Sequence, residues 1–506
     1  MKTKGQPYWL IILHRKGPLL FNNFVIFGQS KKYFQKMLGF NYEIRNFKYV
    51  DGEISIDINE ANQLRTLIVK QVSKRTRFFG DFIKKCDKQC NKLLRLSKQI
   101  AQVKKLKQLE NNELKCWFER YAEEVLKMMP FLNIISIMEQ IFEEKIKQGL
   151  EKELEERGEA DLLDSYLKLL IFPQKDNFVV QQLDDLVEMA ADVQRQIRLA
   201  EKFNTKAGEL EIWLKENSPQ LYLKLKKHAE KFGFLDMYCY EGEPMAVVNV
   251  ILRLQDLLKE DCKKKQTEIR SRKQQDMKRF QEIIKKYKIK GELREFIDYA
   301  QEYLYFRLYR LDTLFMAGYY VRNFIEEIGK RMGLTYDEVM YSWHKEILDF
   351  LEKGVLPDPK EVERRKQVYA TLFIDGKLTI VSGKKALAMV SKTKVQREEK
   401  IKGTSACLGK HKGKVKIVVS AKEIDKVEDG DVLVSIMTNP YFVPAMIKAG
   451  AIVTDEGGVL CHAAIVSREF GIPCIVGTRI ATQVLEDDDI VEVNADKGTV
   501  TRLNKL

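Results

Sequence analysis

Proline is nearly absent from the central part of this chain. Within its 506 residues, the stretches 19–129 and 245–356 contain no proline at all. Because proline breaks helices, stretches of this length permit long helices, and apolar residues recur in them at steps of three and four. The pattern is clearest over residues 176–203, where one apolar face continues through the segment. The sequence therefore predicts a mostly α-helical body over residues 59–381.

Two hairpin signals flank this body. An Asp-Gly pair between alternating apolar residues is a strong predictor of a two-residue β-turn. It occurs at Asp51-Gly52 and again at Asp375-Gly376. The sequence thus predicts β-structure at four places: hairpins over 47–58 and 371–381, and strands at 8–13 and 24–27.

The pattern changes twice after residue 381. The stretch 382–402 is polar, basic and weakly periodic, as linkers are. Beyond it, glycine-separated β-like runs alternate with two short helical runs, which is typical of a compact α/β domain. The β-like runs are 415–419, 431–436, 451–454, 474–476 and 490–493, and the helical runs are 440–449 and 462–470. The predicted organisation is a small β-containing segment (1–58), a helical domain (59–381), a linker (382–402) and an α/β domain (403–506).

The positive charge of the chain lies in its N-terminal part. The formal net charge is +14, of which residues 1–395 carry +15 and residues 396–506 carry −1. The most basic run, 259–279, also contains acidic residues and has no aromatic residue that could stack on a base. We therefore expect a solvated basic helix there and no nucleic-acid partner.

The cysteines and the N-terminus argue against two further classes of protein. Eight cysteines without a CxxC pair or a zinc-ligand spacing predict reduced thiols, with neither a disulfide framework nor a metal site. The apolar window near the N-terminus, 8–13, is too short for a signal-peptide core or a membrane span. We expect a cytoplasmic protein without a membrane partner.

The segment 454–473 carries the clearest chemical signal. A strand is predicted to end at Thr454, Gly457 and Gly458 permit a tight turn, and a helix is predicted to open with His462 in its first turn. The free N–H groups and positive dipole end of a helix start disfavour a protonated ring and favour a bound phosphate. A neutral ring nitrogen is the form of histidine that attacks phosphorus. A histidine that only caps or packs its helix is the alternative interpretation.

The sequence around this histidine is similar to a known family. GGVLCHAAIVSREFGIP at 457–473 resembles the phosphohistidine signature of the swivelling domain in phosphoenolpyruvate synthase, pyruvate phosphate dikinase and rifampicin phosphotransferase. In that family the histidine is phosphorylated, which makes the protein a phosphoprotein intermediate, and it carries the phosphoryl group between two active sites. The likeness extends to GKHKGKVKI at 409–417, DGDVLV at 429–434, TNP at 438–440, IVG at 475–477 and the turn containing Gly498.

The resemblance implies roles for individual residues. His462 would be the phosphoryl carrier, and Gly457 and Gly458 would form the turn that positions it. Thr438 and Cys461 stand where the family places small groups near the phosphoimidazole.

Two further positions refine the resemblance. Arg468 and Glu469 match an Arg-Glu pair of the family, for which a phosphate contact and an internal ion pair both stay open. Leu460 departs from the dikinases, which usually have a hydroxyl or amide residue two positions before the histidine, so a hydrogen bond to the ring or phosphate is lost there. The rifampicin phosphotransferase branch tolerates an apolar residue at this position, so Leu460 favours that branch.

No nucleotide-binding motif accompanies the carrier. The stretch 403–410 has five residues between its glycines and no Ser or Thr after Lys410, so it is not a P-loop. The order of segments resembles rifampicin phosphotransferase without its ATP-grasp module, and also the carrier subunit of phenylphosphate synthase, whose ATP-binding part is a separate chain. The resemblance implies that ATP and Mg²⁺ are bound by an ATP-grasp partner subunit, and that this chain binds no cofactor tightly.

The helical body would then hold a small-molecule acceptor. Residues 296–324 include ten aromatic side chains, with Arg307 and Arg310 among them at a spacing of three. An aromatic wall with an arginine suits a planar acceptor and its developing phosphate, and ordinary helix packing is the alternative. His344 is a candidate general base, with a structural role as its alternative.

These features together predict a phosphotransferase subunit. Its phosphohistidine would carry a phosphoryl group from ATP on the partner to an acceptor on the helical domain. Two alternatives stay open. One is a component of a split phosphoenolpyruvate synthase or pyruvate dikinase, and the other is a non-catalytic regulatory or nucleic-acid-binding protein that keeps the carrier fold.

Overall fold

The structure, a computed structural model, describes residues 7–14, 16–74, 77–172, 174–237, 239–259, 262–389, 400–419, 421–438, 442–458 and 461–503. The chain divides into two compact units. The first consists of Met1–Phe142, Tyr238–Gly242 and Arg310–Lys394, and the second of Glu143–Met237, Glu243–Tyr309 and Val395–Leu506. The predicted fold class is confirmed, since a mostly helical N-terminal body precedes a C-terminal α/β region. Both units include residues of the predicted helical domain 59–381, and the predicted domain boundaries stay a prediction.

An antiparallel sheet belongs to the first unit. Its strands lie in the order β1-β3-β2-β4-β5, so the N-terminal hairpin pairs with a hairpin from the far end of the helical body. The strands are β1 (Trp9–His14), β2 (Phe47–Val50), β3 (Glu53–Asp57), β4 (Tyr369–Ile374) and β5 (Lys377–Ser382).

Both predicted Asp-Gly hairpins are confirmed. Asp51 and Gly52 have φ values of 44° and 100°, and Asp375 and Gly376 have φ values of 47° and 81°. Positive φ at both central residues is what a type I′ turn requires, and this turn matches the twist of the two strands it joins.

The predicted strand at 24–27 is wrong, because these residues end a helix, α1 (Leu19–Phe27). The apolar run starts directly after Pro18, which makes it nine residues long rather than four. The helix is buried on most sides, so it lacks the polar face that distinguishes a surface helix from a buried strand in a sequence.

The other helices of the N-terminal body account for most of its length. The helices up to residue 202 are α2 (Lys31–Leu38), α3 (Ile58–Lys74), α4 (Phe78–Ala101), α5 (Asn111–Leu126), α6 (Met129–Asn133), α7 (Ile135–Glu155), α8 (Leu163–Leu170), α9 (Phe178–Gln194) and α10 (Ile197–Lys202). The following helices are α11 (Ala207–Asn217), α12 (Pro219–Phe232), α13 (Val247–Leu257), α14 (Cys262–Lys286), α15 (Gly291–Met332), α16 (Tyr336–Met340), α17 (His344–Lys353), α18 (Pro359–Gln367) and α19 (Lys384–Leu387).

One stretch of these helices, Asn111–Glu155, is long and apolar enough to cross a membrane by length and composition alone. In the structure 60% of its most apolar window is buried inside the protein. Burial of this kind is typical of core helices, which pass the same test of length and composition.

The C-terminal α/β region forms an eight-stranded sheet in the order β6-β13-β12-β8-β9-β10-β11-β7. Its centre is parallel: β8 pairs with β9, β9 with β10, and β10 with β11. The strands are β6 (Lys400–Lys402), β7 (Thr404–Cys407), β8 (Lys410–Ile417), β9 (Val432–Ser435), β10 (Ala451–Thr454), β11 (Cys474–Val476), β12 (Ile490–Asn494) and β13 (Thr499–Arg502), and the helices are α20 (Val443–Lys448), α21 (His462–Phe470) and α22 (Ala481–Val484).

The central strands were the predictable ones. Every residue of β9, β10 and β11 is buried, and parallel strands covered on both faces are read from a sequence as continuous apolar runs. The short strands β6, β7 and β13 lack such runs and were not predicted. β6 lies within the predicted linker and pairs with β13, while residues 390–399 of that linker lie outside the described residues.

Candidate active site

His462 opens helix α21, as the sequence predicted. The helix follows the buried strand β10 and the turn that contains the two glycines. Cys461 is its N-cap: the backbone there is extended, and the sulfur accepts a hydrogen bond from the N–H of Ala464 at 3.5 Å. Gly471, with a φ of 66°, ends the helix. The histidine ring is thereby fixed at a helix N-terminus.

Of the two glycines, Gly457 has the stricter requirement. Its φ is 108°, and a Cβ atom built on it would lie 2.7 Å from the sulfur and 2.8 Å from the Cβ atom of Cys461. A Cβ atom on Gly458 would meet no described atom within 4 Å. Glycine is therefore needed at 457 for both backbone conformation and space, whereas 458 has room for a side chain. Leu460, which departs from the dikinase pattern, lies outside the described residues.

One nitrogen of the His462 ring is held by Thr438. The Nδ1 atom lies 2.8 Å from the Oγ1 atom of Thr438, whose side chain is also buried. The ring itself is 7% exposed, and its Nε2 atom is buried without a hydrogen-bond partner among the described residues. When Nδ1–H donates to the threonine oxygen, Nε2 keeps its lone pair. Nε2 is therefore the atom available to form a new bond.

The surroundings of His462 keep its ring neutral. Burial is the main cause, and the positive charge of Arg307 adds to it, so that the pKa of His462 is lowered to about 3. A histidine with this pKa is uncharged near neutral pH, and the neutral imidazole is the form that acts as a nucleophile.

Asp455, at the end of β10, ties the turn before His462 to a neighbouring loop. Its carboxylate accepts hydrogen bonds from the hydroxyl of Thr478 at 2.8 Å, and from both the N–H and the hydroxyl of Thr482. Burial raises the pKa of Asp455, and these hydrogen bonds oppose that effect. The sequence contained the aspartate within the informative segment, but its partners lie more than twenty residues away and gave no local signal.

Arg468 lies on the same helix as His462, one and a half turns later. Its Nε–H donates to the carbonyl of Ala464 at 2.9 Å, and its Nη1–H donates to the carbonyl of Ile171 at 3.3 Å. Burial lowers the pKa of Arg468, although a guanidinium keeps its charge in proteins. The described bonds of this guanidinium go to backbone carbonyls, and its predicted contact with phosphate stays a prediction.

Arg307 lies on α15, in the same compact unit as His462. Phe306 directly precedes Arg307, and Tyr305 and Tyr309 lie two positions to either side of it. The two tyrosines stack on each other with ring centroids 5.4 Å apart. Each is about 200° from Arg307 around an α-helix, so this stack lies on a different side of α15 from Arg307. The aromatic wall that the sequence suggested includes further residues and stays a prediction. The acceptor-side role of Arg307 stays a prediction.

The other two acceptor-side candidates belong to the first unit. Arg310 is 2% exposed, and its Nη1–H donates to the carbonyl of Phe131 at 2.9 Å. His344 opens α17 with its ring 5.0 Å from that of Phe27, and burial lowers its pKa to about 4. The structure does not place either residue in the unit that holds His462. Among the described residues, no group of three or more His, Cys, Asp or Glu side chains is arranged to hold a metal ion.

The site thus consists of a neutral histidine that opens a helix of an α/β domain after a parallel strand, with no hydrogen-bond partner for its Nε2 atom among the described residues. Comparison with known families agrees: residues 427–498 match the mobile domain of PEP-utilising (phosphoenolpyruvate-utilising) enzymes. This match to residues 427–498 confirms the resemblance seen in the sequence.

Curated relatives match about a fifth to three tenths of the chain. A probable phosphoenolpyruvate synthase of Archaeoglobus fulgidus is 50% identical over 135 residues, which cover 25% of this chain and 18% of that protein. A probable phosphoenolpyruvate synthase of Methanothermobacter thermautotrophicus is 53% identical over 104 residues, covering 21% of this chain and 15% of that protein. An uncharacterised phosphotransferase of Bacillus subtilis is 36% identical over 155 residues, which cover 29% of this chain and 19% of that protein.

These matches concern a part of each relative. The chain spans less than a fifth of the length of these three proteins. Among solved structures, the holo-form of Thermococcus kodakaraensis aconitase X is similar over 21% of this chain and 98% of its own, at 21% identity and a TM-score of 0.17, which is too low to support an argument.

Proposed function

We propose that this protein is a phosphotransferase subunit in which His462 carries the phosphoryl group. The observation on which the proposal depends is the state of the His462 ring, which is neutral, held at Nδ1 by Thr438 and bare at Nε2. The mobile-domain family and the printed names of the relatives, phosphoenolpyruvate synthase and phosphotransferase, support the same class of reaction.

In the first step, Nε2 of His462 attacks a phosphoryl group of ATP. An N–P bond forms, the P–O bond to the leaving phosphate chain breaks, and the Nδ1–H bond to Thr438 keeps the ring oriented. We propose that an ATP-grasp partner subunit binds this ATP together with Mg²⁺, which neutralises the charge of its phosphates. The sequence of this chain offers no P-loop for that purpose.

In the second step, the carrier domain delivers the group to an acceptor. An oxygen of the acceptor attacks the phosphorus, the N–P bond breaks, and the ring of His462 returns to its neutral form. In this proposal Arg307, whose charge acts on His462, stabilises the transferring phosphoryl group. The domain would travel between donor and acceptor sites on the segment around 382–402.

The proposal is tested by following label from ATP. The purified full chain is incubated with β- or γ-labelled ATP, with and without native cell extract. We expect acid-labile, base-stable label on the wild type in the presence of extract, and none on His462→Ala. His411→Gln, a change in the same domain, serves as the matched control and should be labelled like the wild type. Equal labelling of His462→Ala and wild type would refute the carrier role.

A component of a split phosphoenolpyruvate synthase is the second candidate, and the names of the 50% and 53% identical relatives favour it. The discriminating arm uses labelled phosphoenolpyruvate in place of ATP. Label that reaches His462 from phosphoenolpyruvate in extract would select this candidate. No label from either donor would select the non-catalytic alternative.

A further inference from the structure

The guanidinium of Arg468 connects the helix of His462 to a helix of the body. Ile171, whose carbonyl accepts from Arg468, directly follows the last residue of α8, and both residues belong to the second compact unit. Arg468 thus hydrogen-bonds the carrier domain to the helical part of this unit.

The C-terminal carbonyls of α8 need hydrogen-bond donors from other segments of the chain. The last carbonyls of a helix have no partner within it and carry the negative end of the helix dipole. In α8 the carbonyl of Leu170 accepts from the side-chain amide of Gln301 at 2.8 Å, and the next carbonyl, that of Ile171, accepts from Arg468. Leu170 and Ile171 are both buried. An unpaired carbonyl costs more free energy when it is buried than when water can reach it.

The state of His462 agrees with a docked carrier. A nitrogen that receives and delivers a phosphoryl group must be reachable at both sites, yet Nε2 is buried and the charge of Arg307 on α15 acts on the ring. Arg307 lies outside the carrier domain, so a charge of the helical body acts on the buried ring of His462.

We infer that Arg468 is a docking residue that fastens the unphosphorylated carrier domain to the end of α8 and thereby covers His462. It is a positioning residue, because it holds the carrier domain against the helical body and does not contact the reacting atoms. The docking itself is independent of phosphate, while its use in phosphoryl delivery rests on the proposed function. Release of this contact exposes His462 to a donor.

The test measures the accessibility of His462 in the full chain without any nucleotide. Diethyl pyrocarbonate acylates accessible neutral imidazole nitrogens, and peptide mass spectrometry gives the rate for each histidine separately. We expect Arg468→Met to raise the acylation rate of His462 about tenfold, since a hydrogen bond from a charged donor is strong enough to shift a docking equilibrium by such a factor. Lys448→Met, which removes an exposed charge from the same domain, should leave the rate unchanged.

The buried histidines His228 and His344 report on unfolding in the same experiment. If Arg468→Met also exposes them, the variant has unfolded and Arg468→Lys is read instead. Lysine keeps the charge but lacks the Nε–H that bonds Ala464 while Nη1–H reaches Ile171, so its single terminal nitrogen cannot reproduce this geometry, and a smaller selective increase at His462 is expected. Wild-type protection of His462 in the folded variants would overturn the inference. Because no phosphorylation is needed, this result is readable even if His462 never accepts a phosphoryl group.

Discussion

The hydroxyl of Thr438 contacts one of the two ring nitrogens of His462. An imidazole has two neutral tautomers, and only the one with its proton on Nδ1 leaves Nε2 free. The 2.8 Å contact with Thr438 orients the ring, and it stabilises that tautomer when the threonine oxygen accepts the hydrogen bond. The threonine was predictable from the family resemblance, whereas the nitrogen that it contacts became known only from the fold.

Removal of this hydroxyl should slow the charging of His462. Thr438→Val keeps the shape of the side chain and removes the oxygen, so we expect the initial rate of His462 phosphorylation to fall about tenfold, corresponding to about 1.4 kcal/mol of lost orientation. Thr438→Ser, which keeps the oxygen, is the control and should retain most of the rate. Phosphorylation of Thr438→Val at the wild-type rate would show that the contact does not select the tautomer.

The buried ring of His462 should also make the protein sensitive to acid. Its pKa is about 3 in the folded protein, against the ordinary 6.5. Below about pH 6.5 the unfolded chain therefore binds a proton that the folded chain does not bind, and stability falls as the pH falls. Between about pH 7 and pH 5 the wild type should lose roughly 2 kcal/mol more free energy of unfolding than His462→Gln. Urea denaturation at both pH values measures this, and parallel losses would contradict it.

Among the secondary-structure elements, the connection between β10 and α21 depends on one glycine, Gly457. Gly457→Ala would force a side chain into a positive-φ conformation and against Cys461, the N-cap of the helix. We expect a loss of at least about 1 kcal/mol in stability and slower labelling of His462, because the first turn of α21 must shift. Gly458→Ala, where space is open, is the matched control. Equal stability and labelling of the two variants would contradict this account.

Two of the arginines of helix α15, Arg307 and Arg310, have different surroundings. Arg310 is buried and bonded to the carbonyl of Phe131, whereas Arg307 is half-buried and acts on His462. We expect Arg310→Met to cost about 1–3 kcal/mol of unfolding free energy, since it leaves a buried carbonyl unpaired, and Arg307→Met to cost less. Thermal denaturation of both variants checks the difference, and an equal or larger loss for Arg307→Met would oppose it.

How well elements could be predicted depended on how local their signals were. The Asp-Gly hairpins and the start of α21 follow from a few adjacent residues, and they are confirmed. The helix Leu19–Phe27 is buried on most sides and so lacked a helical period in the sequence. The predicted helix over 176–203 divides in two at Gln196, where the backbone leaves the helical region.

At the scale of the whole molecule, the sequence indicated a helical body followed by an α/β region. It did not indicate how the chain divides into two compact units. The first unit includes Tyr238–Gly242, a short piece flanked on both sides by segments of the second unit. The boundary between the units also falls within the continuous helix α15. No local pattern marks such a division, because it depends on contacts between residues hundreds of positions apart.

The pairing of β2 with β4 has a consequence for synthesis. Phe47 and Phe373 are register partners, although about 330 residues separate them in the chain. At a translation rate of roughly 5–20 residues per second, the hairpin of β2 and β3 leaves the ribosome roughly 15–65 seconds before its neighbour strand exists. During that interval the edge of β2 has open hydrogen-bonding groups, and such an edge is a site for wrong pairing. The nascent N-terminal hairpin is therefore the part of this protein that most needs protection by a chaperone.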